Sequence, residues 1–339
     1  MNQNKIKILI ISIITVIFII FAWVKIIQNY KQVKYFKNLV KNATLNTKLI
    51  DANLDHNQAL DVSDYIKSQK LQLPKIIINF DTHSDLYINK SITIPKEEGI
   101  ASWLNAYLAK YPEVEELYWV MPDEESANIE LQKLFAQNDI SDIANGVEFY
   151  GNSLYLELPE DYFERNPLDK ISYSQEFLID KRNGRLNEYF EKNKYSQQLT
   201  DPYFDHSKKI KVTTCTIDSL PDFKGAKVFL SIDADFISNS GFDTLENFSL
   251  EKNKKEISEN FNKIFETINS KRINPEYISM SLSPQYLPKK HHKYVNKIFR
   301  KIIQYSNKKD ALGTYTRGYD MTPTGRNPDE KIDYTTQGK

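Results

Sequence analysis

Hydrophobic and polar positions divide the chain into an apolar N-terminal run and a longer region where apolar and amphipathic segments alternate. Residues 8–27 are almost wholly apolar, interrupted only by Ser12, Thr15 and Lys25, and two lysines precede the run. About 20 apolar residues suffice to span a bilayer as a helix. The run lacks the small-residue cleavage site that ends a secretory signal. We therefore predict an uncleaved transmembrane anchor.

Two counts of positive charge bear on which side of the membrane the rest of the chain lies. The short flank of residues 1–7 carries Lys5 and Lys7, and such a flank ordinarily stays cytoplasmic. Five lysines in or just after the run favour the opposite orientation, namely Lys25, Lys31, Lys34, Lys37 and Lys41. Because lysine is abundant throughout the chain, we give more weight to the first count. We expect a single-pass membrane protein whose globular part is extracytoplasmic.

After the anchor, residues 28–48 are polar with scattered aromatic side chains, which predicts a helical stalk or linker. Short apolar runs predict strands at 75–80, 117–121, 210–216, 228–232 and 277–282. Helical spacing or composition predicts helices at 57–70, 99–110, 124–137, 251–270 and 289–306, and a hairpin pattern occupies 147–158. Strands and helices that alternate in this way indicate an α/β fold with a mainly parallel sheet.

We expect one globular domain at residues 49–310. Within it, residues 159–206 are rich in tyrosine, asparagine and charge without clear periodicity, which is typical of an insertion or a lid. Residues 311–339 combine Gly, Pro, Thr and charge with few aliphatic side chains, and we expect a polar tail there. The chain has 339 residues, 40% of them hydrophobic, which is enough for a sizeable core.

The overall composition excludes some kinds of partner and site. Lysine plus arginine and aspartate plus glutamate each number 45, so no global field attracts nucleic acid, and we predict no nucleic-acid partner. Cys215 is the single cysteine, which excludes an intrachain disulfide framework and a thiolate-rich zinc site. The oligomeric state stays open.

The strand predicted at 75–80 runs directly into an Asp-x-His-x-Asp motif. Asp81, His83 and Asp85 share one face if the chain stays extended or curls slightly. Polar residues at the carboxyl end of a strand in an open α/β sheet point into the crevice where such sheets bind ligands. Two carboxylates and an imidazole suit Mn²⁺ or Zn²⁺. These three residues are therefore candidate metal ligands.

A second apolar strand delivers carboxylates in the same way. The run 226–232 is followed by Asp233 and Asp235, which we expect to be placed like Asp81 and Asp85. Several acidic groups at the ends of buried strands repel one another strongly unless cations neutralise them. Two such motifs on similar strands favour a metal site over two polar strand ends that merely enter loops.

With both motifs in place, the chain resembles the arginase and ureohydrolase superfamily. The signatures of that superfamily are Asp-x-His-x-Asp and a later Ser-x-Asp-x-Asp, found here at 81–85 and 231–235. It also uses an Asp-His pair at an earlier strand-to-helix junction, where this chain has Asp55 and His56. Within the superfamily the pattern is similar to uncharacterised protein family 0489, an arginase-like group, over roughly residues 50–305.

The resemblance implies a three-layer α-β-α domain with two Mn²⁺ ions. The ligands that it implies are His56 and Asp85 for one ion, His83 and Asp235 for the other, and Asp81 and Asp233 as bridges. It further implies a hydrolase of linear carbon–nitrogen bonds, in which a metal-bridging hydroxide attacks a guanidinium or amide carbon. Some members of the resembled family are peptide arginases. A small molecule or peptide is therefore the expected substrate, with peptidyl arginine first.

Two parts of the arginase site have no counterpart here. Arginases hold the guanidinium with a glutamate after a late strand, but segment 278–285 has no acid, and no proton-shuttling histidine can be assigned. His206 lies in the 159–206 segment, and we expect solvated side chains for His291 and His292. No catalytic side chain is assigned. Two alternatives stay open: a deacetylase with one Zn²⁺, and a non-catalytic, metal-stabilised scaffold at the membrane.

Overall fold

The computed structural model describes residues 3–53, 58–82, 85, 103–122, 172–180, 186–188, 207–238, 253–283 and 287–306. The helices in these ranges are α1 (Gln3–Ala43), α2 (Gln58–Ser68), α3 (Trp103–Lys110), α4 (Ala234–Ser238), α5 (Lys254–Ser270) and α6 (Lys289–Tyr305). The strands are β1 (Leu49–Asn53), β2 (Ile76–Phe80), β3 (Glu116–Met121), β4 (Ser172–Asp180), β5 (Leu186–Glu188), β6 (Ser207–Thr216), β7 (Lys227–Asp233) and β8 (Asn274–Ser281).

The eight described strands form one sheet in the order β1-β8-β7-β2-β3-β6-β4-β5. The first six in that order pair in parallel. At the far edge, β4 pairs antiparallel with β6 and with β5. Runs such as Ile76–Phe80 are nearly continuous apolar stretches, which are typical of parallel strands buried on both faces. The prediction of an α/β fold with a mainly parallel sheet is confirmed.

Helices cover both faces of the sheet. On one face, Ile77 and Phe229 belong to a hydrophobic cluster that includes α2 and α3. On the other face, Ile78 and Leu230 belong to a cluster that includes α4, α5, α6 and the last turns of α1. Neighbouring residues of a strand therefore face different clusters, as the alternation of side chains requires. The described part of the chain has three layers, and the arginase-like identity of the fold stays a prediction.

The first part of α1 exposes a long apolar surface. Its large apolar side chains between Ile13 and Ile27 are exposed to between 44% and 71%. By length and composition this helix can cross a membrane. That finding is consistent with the single anchor predicted at 8–27.

The last turns of α1 pack into the domain. Val40 and Ala43 are buried in the cluster formed with α5 and α6. Phe36 packs edge-on against Phe265 of α5, with 5.9 Å between the ring centroids. The segment expected to form a stalk or linker, 28–48, thus contains the continuous end of α1 and the turn that leads to β1.

Some elements differ from the sequence-based expectation or extend it. Strand β1 was not predicted from the hydrophobic pattern, because Asp51 and Asn53 interrupt it, although the arginase resemblance implied a strand before Asp55. The described part of segment 159–206 contributes β4 and β5 to the sheet edge, beside β6. Three predicted segments lie outside the described residues, namely the helix at 124–137, the hairpin at 147–158 and the tail at 311–339.

We expect the Phe36–Phe265 contact to stabilise the junction of anchor and domain. Edge-to-face aromatic pairs contribute about 0.5–1.5 kcal/mol beyond their buried area, so a double-mutant cycle of Phe36→Ala and Phe265→Ala should give a coupling free energy of about 1 kcal/mol. Urea unfolding of the full chain in detergent measures it. In the control cycle Tyr30→Ala, at a side chain of the same helix that is 67% exposed, replaces Phe36→Ala and should show no coupling. Equal coupling in both cycles would contradict the docked position of α1.

Candidate metal centre

Three of the predicted ligands meet at the carboxyl edge of the parallel sheet. Asp81 directly follows β2, Asp233 ends the neighbouring strand β7, and Asp235 lies in the first turn of α4. The three carboxylates each place an oxygen within 4.8 Å of the others, and all three side chains are buried. Adjacent parallel strands end at the same edge, which brings residues from distant parts of the sequence together.

Hydrogen bonds to its own strand and to β3 hold Asp81 in place. Its backbone N–H donates to the Val120 carbonyl (3.1 Å), which extends the β2–β3 pairing by one residue. Its carbonyl accepts from the indole N–H of Trp119 (3.1 Å). The amide of Asn79 donates to the Asp81 carboxylate at 3.0 Å. Since Asn79 precedes Asp81 by two positions, both side chains lie on one face of the strand.

Asp233 and Asp235 are oriented by each other and by the ends of β2 and β8. The backbone N–H of Asp235 donates to the Asp233 carboxylate (3.1 Å), as does the hydroxyl of Ser283, just beyond β8 (2.8 Å). The backbone N–H of Thr82 donates to the Asp235 carboxylate (3.3 Å). The two donors to Asp233 favour its ionised form. The bonds therefore connect the ends of three adjacent strands through the carboxylates.

Asp85 lies beside the cluster but outside the group of three. Strand β2 ends at Phe80, and Asp85 has a left-handed φ of 50°. The extended chain that would align Asp85 with Asp81 is therefore not formed. The indole N–H of Trp103 in α3 donates to the Asp85 carboxylate (2.5 Å), which is itself buried.

The expectation that Asp233 and Asp235 are placed like Asp81 and Asp85 holds for Asp233, which lies level with Asp81 in the β2–β7 register, but Asp235 and Asp85 differ. Asp235 belongs to a helix that begins immediately after β7, whereas Asp85, four residues after Asp81, has a left-handed φ. A helix start rotates the chain sharply, so Asp235 comes back to the strand end within two residues.

Burial and like charge act together on the cluster. Burial raises the pKa of the Asp233 carboxyl well above its ordinary value of 3.8, and the carboxylates of Asp235 and Asp81 raise it further. The hydrogen bonds from the Asp235 N–H and the Ser283 hydroxyl act in the opposite direction without cancelling this effect. Burial likewise raises the pKa of Asp85, with smaller contributions from Asp81 and the other two carboxylates. Without a cation, the Asp233 and Asp85 carboxyls therefore retain protons above the ordinary range of aspartate.

The polar character of the site continues across one face of the sheet. The strand registers align two rows of buried polar side chains on the face that α2 and α3 cover. The first row is Asp51, Ser279, Ser231 and Asn79, and the second, nearer the carboxyl edge, is Asn53, Ser281, Asp233 and Asp81. Between the rows, residues such as Ile232 and Met280 belong to the apolar cluster of the opposite face. At the end where the aspartates meet, one face of these strands is thus polar and the opposite face is apolar.

Two buried oxygens beside the aspartates lack hydrogen-bond partners within the described ranges. They are the side-chain carbonyl of Asn79 and the hydroxyl of Thr82. Buried polar atoms in folded proteins nearly always have a partner, which water or an ion can provide. Together with the carboxylates they make an all-oxygen donor set, which suits Mg²⁺, Ca²⁺ or Mn²⁺. The described residues therefore fit a hard divalent cation.

The histidines give a mixed outcome. The predicted ligands His56 and His83, and also His206, lie outside the described residues. The expectation of solvated side chains on α6 is wrong for His291, which is 4% exposed, because the first turn of α6 packs against the domain. His292 is half-buried, and its Nε2 lies 2.6 Å from the Leu287 carbonyl oxygen.

Three residues that orient the aspartates were missed by the sequence analysis. They are Asn79, Trp103 and Ser283. For Asn79 a signal existed, since it is the one polar residue within Ile76–Phe80 and lies two positions before Asp81. Nothing in the sequence connects Trp103 or Ser283 to the motifs, because their contacts depend on how α3 and the end of β8 pack.

A scan against protein-family models found no match for the chain, and a search of curated proteins also found none. The likeness to the arginase superfamily thus rests on the motifs quoted above.

Stability without metal should fall as pH rises. The raised pKa values of Asp233 and Asp85 mean that the folded state binds more protons than the unfolded state above about pH 4. Between that pH and the raised pKa values, the free energy of unfolding should decrease with pH in the presence of a chelator. Asp233→Asn should make this slope shallower. Urea unfolding at a series of pH values measures both slopes. An unchanged slope in the variant would contradict a raised pKa of Asp233.

Proposed function

We propose that the chain is a membrane-anchored, metal-dependent hydrolase of linear carbon–nitrogen bonds, with Asp81, Asp233 and Asp235 among its metal ligands. The observation that carries the proposal is the convergence of these three buried carboxylates, with oxygens within 4.8 Å of one another. Burying several like charges is prohibitive unless they are protonated or paired with a cation. A divalent cation resolves the repulsion of all three at once.

The surrounding residues hold the carboxylates in a fixed geometry. Asn79 and Ser283 donate to Asp81 and Asp233, and backbone N–H groups donate to Asp233 and Asp235. Such outer contacts orient metal-ligating carboxylates and set the affinity of the metal. When bound, the cation supplies Lewis-acid chemistry and activates water for attack on a carbonyl or guanidinium carbon. By the arginase resemblance it would be a pair of Mn²⁺ ions, completed by Asp85, His56 and His83.

A substrate with a guanidino or amide group follows from the same resemblance. Peptidyl arginine is the first candidate, with release of urea, and segment 278–285 would recognise it without the glutamate that arginases use. The chain's own contribution at that position is a row of small polar side chains, since Ser279, Ser281 and Ser283 are all buried near the carboxyl edge of β8. Hydroxyls in this row can donate to or accept from a neutral amide.

One observation favours a second candidate, a single-metal enzyme such as a zinc deacetylase. Asp85 accepts from Trp103 and is not one of the three carboxylates that share a common centre. A single ion held by Asp81, Asp233 or Asp235, with His83, would leave Asp85 outside its coordination shell. This arrangement needs fewer ligands than the two-metal centre.

Elemental analysis and a hydrolysis assay test the main proposal. We expect about two Mn²⁺ per full-length chain and urea release from arginine-containing peptides. Loss of a residue that only supports a metal ligand typically costs about 10–100-fold in metal affinity or activity, so Asp81→Ala should reduce activity by at least about 100-fold. Asp222→Ala is the matched control, since this exposed aspartate pairs with Arg272 away from the cluster. Equal metal content in both variants would contradict the metal assignment.

Asp85→Ala separates the two candidates. In a two-metal centre this change removes a ligand, so metal content should fall to about one ion per chain and hydrolysis should be lost. In a single-metal enzyme, one Zn²⁺ should remain and deacetylation of acetyl-lysine peptides should persist. Trp103→Phe serves as the control, because it removes the hydrogen bond to Asp85 and part of the buried ring but leaves the Asp85 carboxylate in place. If Trp103→Phe lowered the metal content as much as Asp85→Ala does, disturbed packing around Asp85 would explain both results, and the comparison would count against Asp85 as a ligand.

A further inference from the structure

The connection between α1 and β1 fixes the direction of the anchor relative to the sheet. Residues 44–48 form a tight turn in which the Thr44 N–H donates to the Val40 carbonyl and the Thr47 N–H to the Thr44 carbonyl. Strand β1 begins at Leu49, directly after it. Helix α1 therefore runs antiparallel to β1, and its N-terminal end points toward the carboxyl edge of the sheet.

The packing of α1 on α5 agrees with this direction. Phe36 contacts Phe265, and three residues further along, the Leu39 carbonyl accepts from the Asn269 amide (3.2 Å). Contacts that advance together along both helices indicate that the helices run the same way. Helix α5 connects the parallel strands β7 and β8, so it too runs antiparallel to the strands. Both lines of contact point the apolar run past the edge where the aspartates lie.

Distances along the chain place that edge close to the end of the apolar run. About 24 Å of helix separate Ile27 from Ala43, and β1 returns over about 13 Å, so its carboxyl end lies about 10 Å from the level of Ile27. Phe36 lies about 14 Å along α1 from Ile27. Phe36 contacts Phe265 of α5, and α5 runs back about 16 Å from Phe265 to Lys254. Lys254 therefore lies at about the level of Ile27. A headgroup layer is about 5–8 Å thick. Both estimates place the carboxyl edge within about 10 Å of the apolar run, next to the headgroup region.

The helix ends at this edge carry exposed lysines. Lys289 and Lys293 of α6 are exposed, and α6 contains six lysines and arginines and no acidic residue. Lysine in the first turn of a helix opposes the helix dipole, so helix stability does not account for its presence there. Within the described ranges, neither side chain forms an ion pair. Lys31 and Lys34 of α1, just beyond the apolar run, are exposed as well.

We propose that α1 holds the carboxyl edge of the sheet against the membrane, where Lys289 and Lys293 contact anionic lipid headgroups. Lysines near an anionic surface contribute about 1 kcal/mol each to attraction, over about one Debye length. The orientation rests on the fold and the anchor alone. The consequence of this orientation for substrates rests on the proposed function. The aspartate cluster would receive substrates that lipid headgroups carry at the membrane surface.

Site-directed fluorescence quenching in vesicles tests the orientation. A fluorophore is attached to Lys293→Cys or, as the matched control, to Lys224→Cys, which lies before β7 at the opposite edge, about 20 Å away. The vesicles contain anionic phospholipid and a trace of lipid with a nitroxide on its headgroup. Cys215 does not interfere, because it is buried and burial raises the pKa of its thiol to about 12. We expect quenching at position 293 several-fold stronger than at 224. Equal quenching, or stronger quenching at 224, overturns the proposal.

Charge reversal tests the contact with lipid. With the fluorophore at Lys255→Cys in the first turn of α5, the pair Lys289→Glu and Lys293→Glu should at least halve the quenching. The control pair Lys70→Glu and Lys224→Glu, at exposed lysines of the opposite edge, should leave it unchanged. No change with either pair overturns the headgroup contact. These measurements use neither metal nor substrate, so a failure of the proposed hydrolase activity would leave them unaffected, and the reverse also holds.

Discussion

Like-charge repulsion among buried carboxylates is the constraint on which the rest of the site depends. Asp81, Asp233 and Asp235 are each at most 2% exposed, and their oxygens lie within 4.8 Å of one another. In an interior of low effective dielectric constant such an array is stable only when protons or cations compensate it. At Asp233 the hydrogen-bond donors favour the ionised form, whereas burial favours the protonated one. A divalent cation satisfies both, because it neutralises the charge and takes the place of the missing solvent.

The two faces of the sheet differ in polarity, and this difference accommodates the constraint. On the face that α4, α5, α6 and the end of α1 cover, apolar side chains continue to the carboxyl edge, as Phe80 and Ile232 show. On the other face the same strands change from apolar to polar, from Ile77 to Asn79 and Asp81 on β2. The uninterrupted apolar interface on one face can stabilise the strands while the other face carries charge at their carboxyl ends. The division explains how a cluster of aspartates is tolerated inside a folded domain.

Continuous apolar runs made most of the parallel sheet predictable, and they also located Asp81 and Asp233 at strand ends. Strand β1 escaped prediction because Asp51 and Asn53 occupy alternate positions, where they belong to the polar rows and not to a turn. The positions of Asp85 and Asp235 could not be predicted from spacing. Asp85 itself has a left-handed φ, and Asp235 lies in the first turn of a helix. His291 was assigned to the surface from its charged neighbours, but burial of a helix face depends on packing that a single motif does not encode.

A divalent cation bound by Asp81, Asp233 and Asp235 would be directly visible in a crystal. The most direct measurement is an anomalous-difference map from crystals of the full chain grown with Mn²⁺ and recorded near the manganese absorption edge. We expect a peak between the three carboxylates, about 2.0–2.6 Å from their oxygens, the range of hard divalent cations. A map without a peak there, with a lysine or arginine side chain in contact with the carboxylates instead, would contradict it.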